Sequence, residues 1–463
     1  MDMLGSPKAA AIQAFLSSNP CVPAPSRPNT TLGFPLVDTS GPPLEASPSP
    51  FNTAAWKALL ADYPDPHLPK VLCEILEYGT LVGYQGPSAF RLPPNLPTAT
   101  LAPGLIQTKL DEDMLLHRVV VVPNPTSPFI CSPLGLVPKR DGGFRRIHNL
   151  SHPIGKSVND YIPREGCTLV YSTLKNILPK ILLAGRSCII IKKDIKDAFR
   201  NIPIAPCNQW LLGLSFNDVN YMEQCLPFGL ASAPFIFNLF AEAFHWILES
   251  HLYWKLLEHY LDDFISIFSA SEEGQLGHHN ALYNELTTIL GIPRNDSKDR
   301  AGTIVEVLGI LVNTNTFELT VPEDKLARAR NLCAAALNQV SLTLREAQSL
   351  TGTLSFCAQA VTLGWAFCRW DFIAQFPKNP GKRRIPAHIR SDIKWWHDFL
   401  SVFNGVRFFE ETRHIFRLYT DASSVSRSGK GGFSSTETLI GPQQRLIRTG
   451  LSWLQSLPHT STS

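Results

Sequence analysis

The chain has 463 residues, a net charge of +3 and a 44% hydrophobic share, enough for two or three packed units and too apolar for a mostly disordered protein. That charge does not by itself announce nucleic-acid binding. The closest pair of its ten cysteines, Cys357 and Cys368, is eleven positions apart, which excludes zinc-type spacing and reads as reduced thiols in an intracellular protein, cytoplasmic or nuclear.

Residues 1–50, rich in Pro, Ser and Ala, read as a disordered lead, and the first thirty lack the basic start and apolar core of a secretory signal. Asp38-Thr39-Ser40-Gly41 is a turn in which Ser40 interrupts the Asp-Thr-Gly of an aspartic protease. Residues 51–117 form a helical accessory region, in which the helical stretch from Phe51 to Gly86 has an amphipathic pattern at Trp56, Leu59, Leu60, Val71, Leu72, Ile75 and Leu76. From about 118 short β-rich runs follow, Val119 to Val122, Gly135 to Pro138 and Phe144 to His148, separated by Pro and Gly turns. Between Val137 and Arg200 stand 13 Lys and Arg against 5 acids. Such an excess attracts a phosphate backbone or a triphosphate, although a basic stretch is as often a solvated face.

The apolar stretch Leu226 to Leu248 contains Pro227, Pro234, Asn238, Glu242 and His245, which are costly in lipid, so a buried core helix is expected and no membrane partner. Thr343-Leu344-Arg345-Glu346 is a capping box opening a helix with Ala347, Leu350, Leu354, Cys357 and Val361 at intervals of three and four. A basic loop, Lys378 to Arg384, leads to a helix with Trp395 and Trp396 and a last strand, Ile415 to Thr420.

Tyr260-Leu261-Asp262-Asp263-Phe264 lies between apolar runs and reads as a β-hairpin tip. Paired acids there are usually only a solvated turn. Alternation along a strand makes one of the two the firmer ligand candidate, and Asp262 is favoured. Ile189 to Ile191 is a second strand, delivering Asp194 at its end, where α/β sheets place active sites. Phosphoryl transfer from a triphosphate uses two divalent ions, and magnesium takes one or two carboxylates plus phosphate oxygens and waters. Asp194 and Asp262 could supply that cage with Asp263 as helper.

The order and spacing of these motifs resemble the reverse transcriptase family. The fingers segment is Leu136-Val137-Pro138-Lys139-Arg140-Asp141-Gly142-Gly143-Phe144-Arg145, and the first metal motif is Asp194 to Phe199. Leu226 to Pro234 matches the template-side motif; after Tyr260 to Phe264 come Lys298 and Val307-Leu308-Gly309-Ile310 near the primer grip. The resemblance spans roughly 118 to 326. Arg146 to Ser151 and Leu344 to Ala347 look closest to DIRS-like retrotransposons.

The resemblance implies an α+β right-hand polymerase: fingers and palm at 118–321, a helical thumb at 322–376, a connection at 377–414, and a ribonuclease H-like segment at 415–463. It implies an RNA-directed DNA polymerase acting on a primed RNA or DNA template with dNTPs and two Mg2+ ions, or Mn2+ in their place. Asp194, Asp262 and Asp263 would be catalytic metal ligands, Ile195 lending a carbonyl. Lys139 and Arg145 would grip the triphosphate, the backbone of Asp197 and Ala198 would meet its phosphates, and Phe199 would be the steric gate against a ribose 2'-hydroxyl. Phe228, beside Gly229 in the nucleotide site, stands where many retroviral enzymes carry glutamine. Lys298 would give a proton to the leaving diphosphate, or is a solvated lysine.

Asp421 in Phe416 to Ser423 resembles the first ribonuclease H ligand, but only Glu437 follows it as an acid, so a truncated, inactive domain is expected. The rival readings are an RNA-dependent RNA polymerase, which needs room where Phe199 stands, and a decayed element product that binds nucleic acid without catalysis. The oligomeric state is not readable.

Overall fold

The computed structural model describes residues 7–22, 34–45, 47–138, 142–361, 363–368, 371–374, 376, 381–403, 405–409, 418–420 and 433–435. Two units are distinguished, 1–410 and 411–463. In the second, the described part is an antiparallel pair, Leu418–Thr420 with Phe433–Ser435. Lys139 and Asp421 lie outside the described residues.

The first unit, a mixture of helices and mainly antiparallel sheets, is centred on strands in the order Arg300–Gly302, Ile189–Asp194, Asp263–Phe268 and Leu257–Tyr260. The run Ile189-Ile190-Ile191 belongs inside this sheet because branched side chains suit a pleated surface covered on both faces. Its side chains alternate. Ile189 and Ile191 join Phe264 and Phe268 in one core, whereas Ile190 joins Ile265 and Ile267 in another. The expected buried helix is Ala233–His251, with Pro234 in its first turn, where a missing N–H costs nothing. It is apolar nearly all round, as a helix inside a core must be. Among the described residues no helix is long and apolar enough to cross a membrane. Phe244 of this helix meets Phe264 at 5.0 Å, nearly edge-on; truncating it would cost about 3–5 kcal/mol and loosen the strand that carries Asp263.

To one side stand the hairpin Leu134–Pro138 with Phe144–His148 and the sheet Val119–Val121, Val219–Glu223, Gly213–Phe216. A separate small core of Ile106, Leu110, Val119, Leu134, Leu136 and Leu214 holds them to the helix Pro103–Leu115. On the other side, helices Glu323–Leu337, Leu344–Cys357 and Ala387–Val402 share a core with the sheet Ile304–Val307, Ile310–Asn313, Glu318–Thr320 and Val406–Phe408. The capping box forms as expected: Thr343 Oγ1 accepts the Glu346 N–H at 3.2 Å, and the Glu346 carboxylate accepts the Thr343 N–H at 2.7 Å.

Three sequence expectations need correction. The lead is not disordered where it is described: the helix Pro7–Ser18 buries Ile12 and Phe15, and Phe34 and Leu36 follow them into the main core. Its average composition hides a few large apolar residues for which the fold provides a place. Residues 382–384 are not loop but a strand paired with Ser341–Thr343. The helical stretch of 51–86 is two short helices, Thr53–Leu59 and His67–Tyr78, because Pro64 and Pro66 interrupt it.

Candidate active site

Strand alternation sets Ile190, Lys192 and Asp194 on one face. The register pairs Asp263 with Asp194, Ile265 with Lys192, and Ile267 with Ile190. This face is therefore apolar at one end, where the isoleucines are buried, and charged at the other. The charged end opens on a cleft of about 690 Å³, whose walls include Lys192, Asp194, Tyr260, Asp263, Lys298 and Gln359. Asp263 stands directly across from Asp194, although of the two Asp262 is the favoured candidate in the sequence. Asp262 occupies the two-residue turn between the strands, half-buried.

Backbone bonds lock the acids from behind. The Ile195 N–H donates to the Asp262 carbonyl at 3.0 Å, and the Asn295 N–H to the Asp194 carbonyl at 3.1 Å. Leu261, the first turn residue, has φ 53°, the left-handed region that hairpin turns normally give to Gly or Asn. An L-residue there costs about 1–3 kcal/mol, a strain concentrated at functional sites.

Two lysines face the carboxylates. The Lys192 ammonium lies 2.8 Å from Asp263 Oδ2, and the exposed Lys298 ammonium 3.1 Å and 3.3 Å from the two Asp194 oxygens. Sequence reasoning missed Lys192, although its position two residues before Asp194 puts it on the same strand face. Burial pushes Asp262 up to about 6, with Asp263 and Asp194 adding repulsion and Lys298 opposing it. Burial also raises Asp263, against the pull of the Lys192 pair.

Among the described residues no group of three or more His, Cys, Asp or Glu side chains is placed to hold a metal by itself. The donors nonetheless suit magnesium, a hard ion that takes one or two carboxylates and completes its shell with waters and phosphate oxygens. Crowded carboxylates held by ammonium groups and raised by burial are a site that favours a cation.

Of the residues expected to face a nucleotide, Asp197, Ala198 and Phe199 lie on a neighbouring turn. Asp197 has φ 58°, and Ala198–Asn201 form a single 3-10 turn. The Phe199 ring packs on Phe228 at 5.2 Å and on Phe237 at 5.7 Å. Phe228 is half exposed at 52%, so with Phe199 it extends an aromatic surface. Gly229 has φ 101°, and a Cβ there would lie 2.8 Å from the His148 carbonyl; only glycine fits. Asn159, also missed, fastens this loop: its Nδ2 donates to the Gly229 carbonyl and its Oδ1 accepts the Ala231 N–H, both at 2.8 Å. Arg145 is exposed on its strand opposite Val137.

Residues 137–312, which contain all three acids, Phe199, Phe228 and Lys298, match the family described as reverse transcriptase (RNA-dependent DNA polymerase). Residues 137–312 are a reverse transcriptase domain. Similar solved structures include the foamy viral protease-reverse transcriptase dRH in complex with double-stranded DNA, at 16% identity, a TM-score of 0.48, and coverage of 87% of this chain and 66% of that one. Another is the foamy viral protease-reverse transcriptase in complex with an RNA/DNA hybrid, at 16% identity and a TM-score of 0.45, covering 84% of this chain and 48% of that one. The chain thus spans less than two thirds of each of these proteins. The reverse transcriptase domain holds both acid-bearing strands, while the lysine-lined cleft extends beyond it to Gln359.

Proposed function

We propose that the chain is an RNA-directed DNA polymerase of a retroelement, adding dNTPs to a primer 3'-hydroxyl on an RNA or DNA template. The observation that carries this reading is the placement of Asp194 and Asp263 on facing residues of adjacent strands, with Asp262 in the turn between, inside a reverse transcriptase domain. Asp194, Asp262 and Asp263 would hold two Mg2+ ions. When bound, these ions lower the pKa of the attacking hydroxyl and neutralise the leaving diphosphate.

The chain's own residues orient the reactants. Leu308 and Gly309 line the same cleft as the acids and would border the primer terminus. Phe199, backed by Phe237, would fill the space of a ribose 2'-hydroxyl, and Phe228 would lie against the sugar and base. Arg145 would reach the triphosphate as a guanidinium suited to two-pronged contacts, with Lys139, six positions earlier in the sequence, as its partner. Lys298, bonded to Asp194, would exchange that carboxylate for the diphosphate as the site fills. Residues 118–321 would act as fingers and palm, and the helices within 322–376 as the thumb closing on the duplex backbone. The DIRS-like assignment rests on the segments 146–151 and 344–347.

Extension of a primer on an RNA template tests this reading, with dNTPs and rNTPs compared in magnesium. Incorporation of dNTPs well above rNTPs is expected. Preference for rNTPs would make the chain an RNA polymerase, and no incorporation of either in Mg2+ or Mn2+ would leave a nucleic-acid-binding relic.

A further inference from the structure

We propose that Arg118 is a positioning residue for sugar selection, holding the turn that presents Phe199; this rests on the polymerase reading above. The turn cannot hold a ring rigidly on its own. Asp197 is in left-handed backbone, and the single 3-10 turn after it is closed by the Arg200 N–H on the Asp197 carbonyl at 2.7 Å. Such short pieces are weak when isolated.

The molecule clamps this turn from behind. Arg118, buried just before the strand Val119–Val121, sets Nη1 2.8 Å from Asp197 Oδ2 and Nη2 3.4 Å from Asn201 Oδ1. One guanidinium therefore spans both ends of the segment that contains Phe199. Its own backbone is fixed, since the Gln224 N–H donates to the Arg118 carbonyl at 2.8 Å. Asn201 passes the hold onward, its Nδ2 donating to the Lys196 carbonyl at 2.9 Å.

A second clamp lies deeper. Arg200 turns away from the cleft, forming ion pairs with the fully buried Glu223 and, at 3.2 Å, with Asp113, which also accepts from Arg146 at 2.8 Å. Three arginines thus meet three carboxylates, Asp113, Asp197 and Glu223, and no charge in the network is left uncompensated. The inner Arg200–Glu223 pair is buried and the pairs on Asp113 are nearly so, with Asp113 and Arg146 only 16% and 14% exposed, so breaking them endangers the fold. The Arg118–Asp197 pair is different: the Asp197 side chain is 37% exposed, and its removal releases the turn while the rest stands. A lysine keeps the charge there but cannot reach both Asp197 and Asn201.

The test compares wild type with Arg118→Gln and Arg118→Lys in single-nucleotide incorporation of dGTP and GTP opposite a template cytosine. For both variants the KM for dGTP should rise about tenfold or more while kcat changes little, and the dGTP-to-GTP ratio of kcat/KM should fall by about tenfold. Hydrogen exchange of the Ala198 to Ile202 amides should accelerate in both. Loss of kcat for both nucleotides at an unchanged ratio, or full recovery of the ratio in Arg118→Lys, would overturn the proposal by making Arg118 a simple structural charge. Equilibrium binding of dGTP and GTP to the protein–duplex complex gives the same ratio without turnover. A wild type that fails to extend would end the polymerase reading, while the binding ratio would still decide the role of Arg118.

Discussion

At the scale of single residues, the two hairpin acids, Asp262 and Asp263, work against the fold. The Asp262 carboxyl, raised from 3.8 to about 6 chiefly by burial, binds its proton more tightly folded than unfolded. In the metal-free protein its contribution to stability therefore falls as pH rises from about 4 to about 6 and stays low above that, by up to about 3 kcal/mol. Asp262→Asn should abolish extension yet raise the Tm of the metal-free protein at pH 7.5; an unchanged or lower Tm would contradict this. Thiols give a second residue-level prediction. Burial pushes Cys131, Cys225 and Cys333 up to about 12, whereas Cys207 is exposed. Iodoacetamide at pH 8 should modify Cys207 first and the other three only after denaturation, because the thiolate is the reactive form. Equal labelling rates would refute the packing. That Asp194 would meet the acid pair of the hairpin was legible in the sequence, because two strand patterns end on these residues. Which of Asp262 and Asp263 faces Asp194 was not, since that depends on a register between strands about seventy residues apart. Lys192 and Arg118 were missed for a related reason: their partners, Asp263 and Asp197, are distant in sequence.

At the scale of elements, local signals were reliable and averages were not. The capping box at Thr343 and Glu346 forms atom for atom, and its prediction is local. Thr343→Ala should lower the unfolding free energy by about 1 kcal/mol without altering kcat. A loss several times larger in denaturant titrations would mean that Thr343 also secures the neighbouring pair of strands 341–343 and 382–384. The hairpin at 260–263 was legible because two apolar runs flank two acids. Residues 7–18 were not, because a helix with only Ile12 and Phe15 buried carries little periodic signal and depends on a surface supplied by other elements.

At the scale of the whole molecule, the α+β class followed from the family resemblance, but not which helices share a core. Ile389, Ile393, Trp396 and Leu400 pack with Leu350 and Leu354, so the helix Ala387–Val402 belongs with those before it; this follows from three-dimensional fit and from no local pattern. The net charge of +3 understates the expected electrostatics, because the basic excess is confined to one stretch of the chain. Affinity for a primer–template duplex should fall by about tenfold or more between roughly 50 and 200 mM salt, read by fluorescence anisotropy; salt-independent binding would exclude a grip on phosphates.

The most direct measurement is primer extension on an RNA template by wild type and by Asp194→Asn, with duplex affinity determined on the same preparations. The carboxylate geometry predicts robust dNTP incorporation by wild type, a drop of about a thousandfold in the variant, and duplex affinities within about twofold of each other. A variant that extends the primer at a rate close to wild type would contradict it.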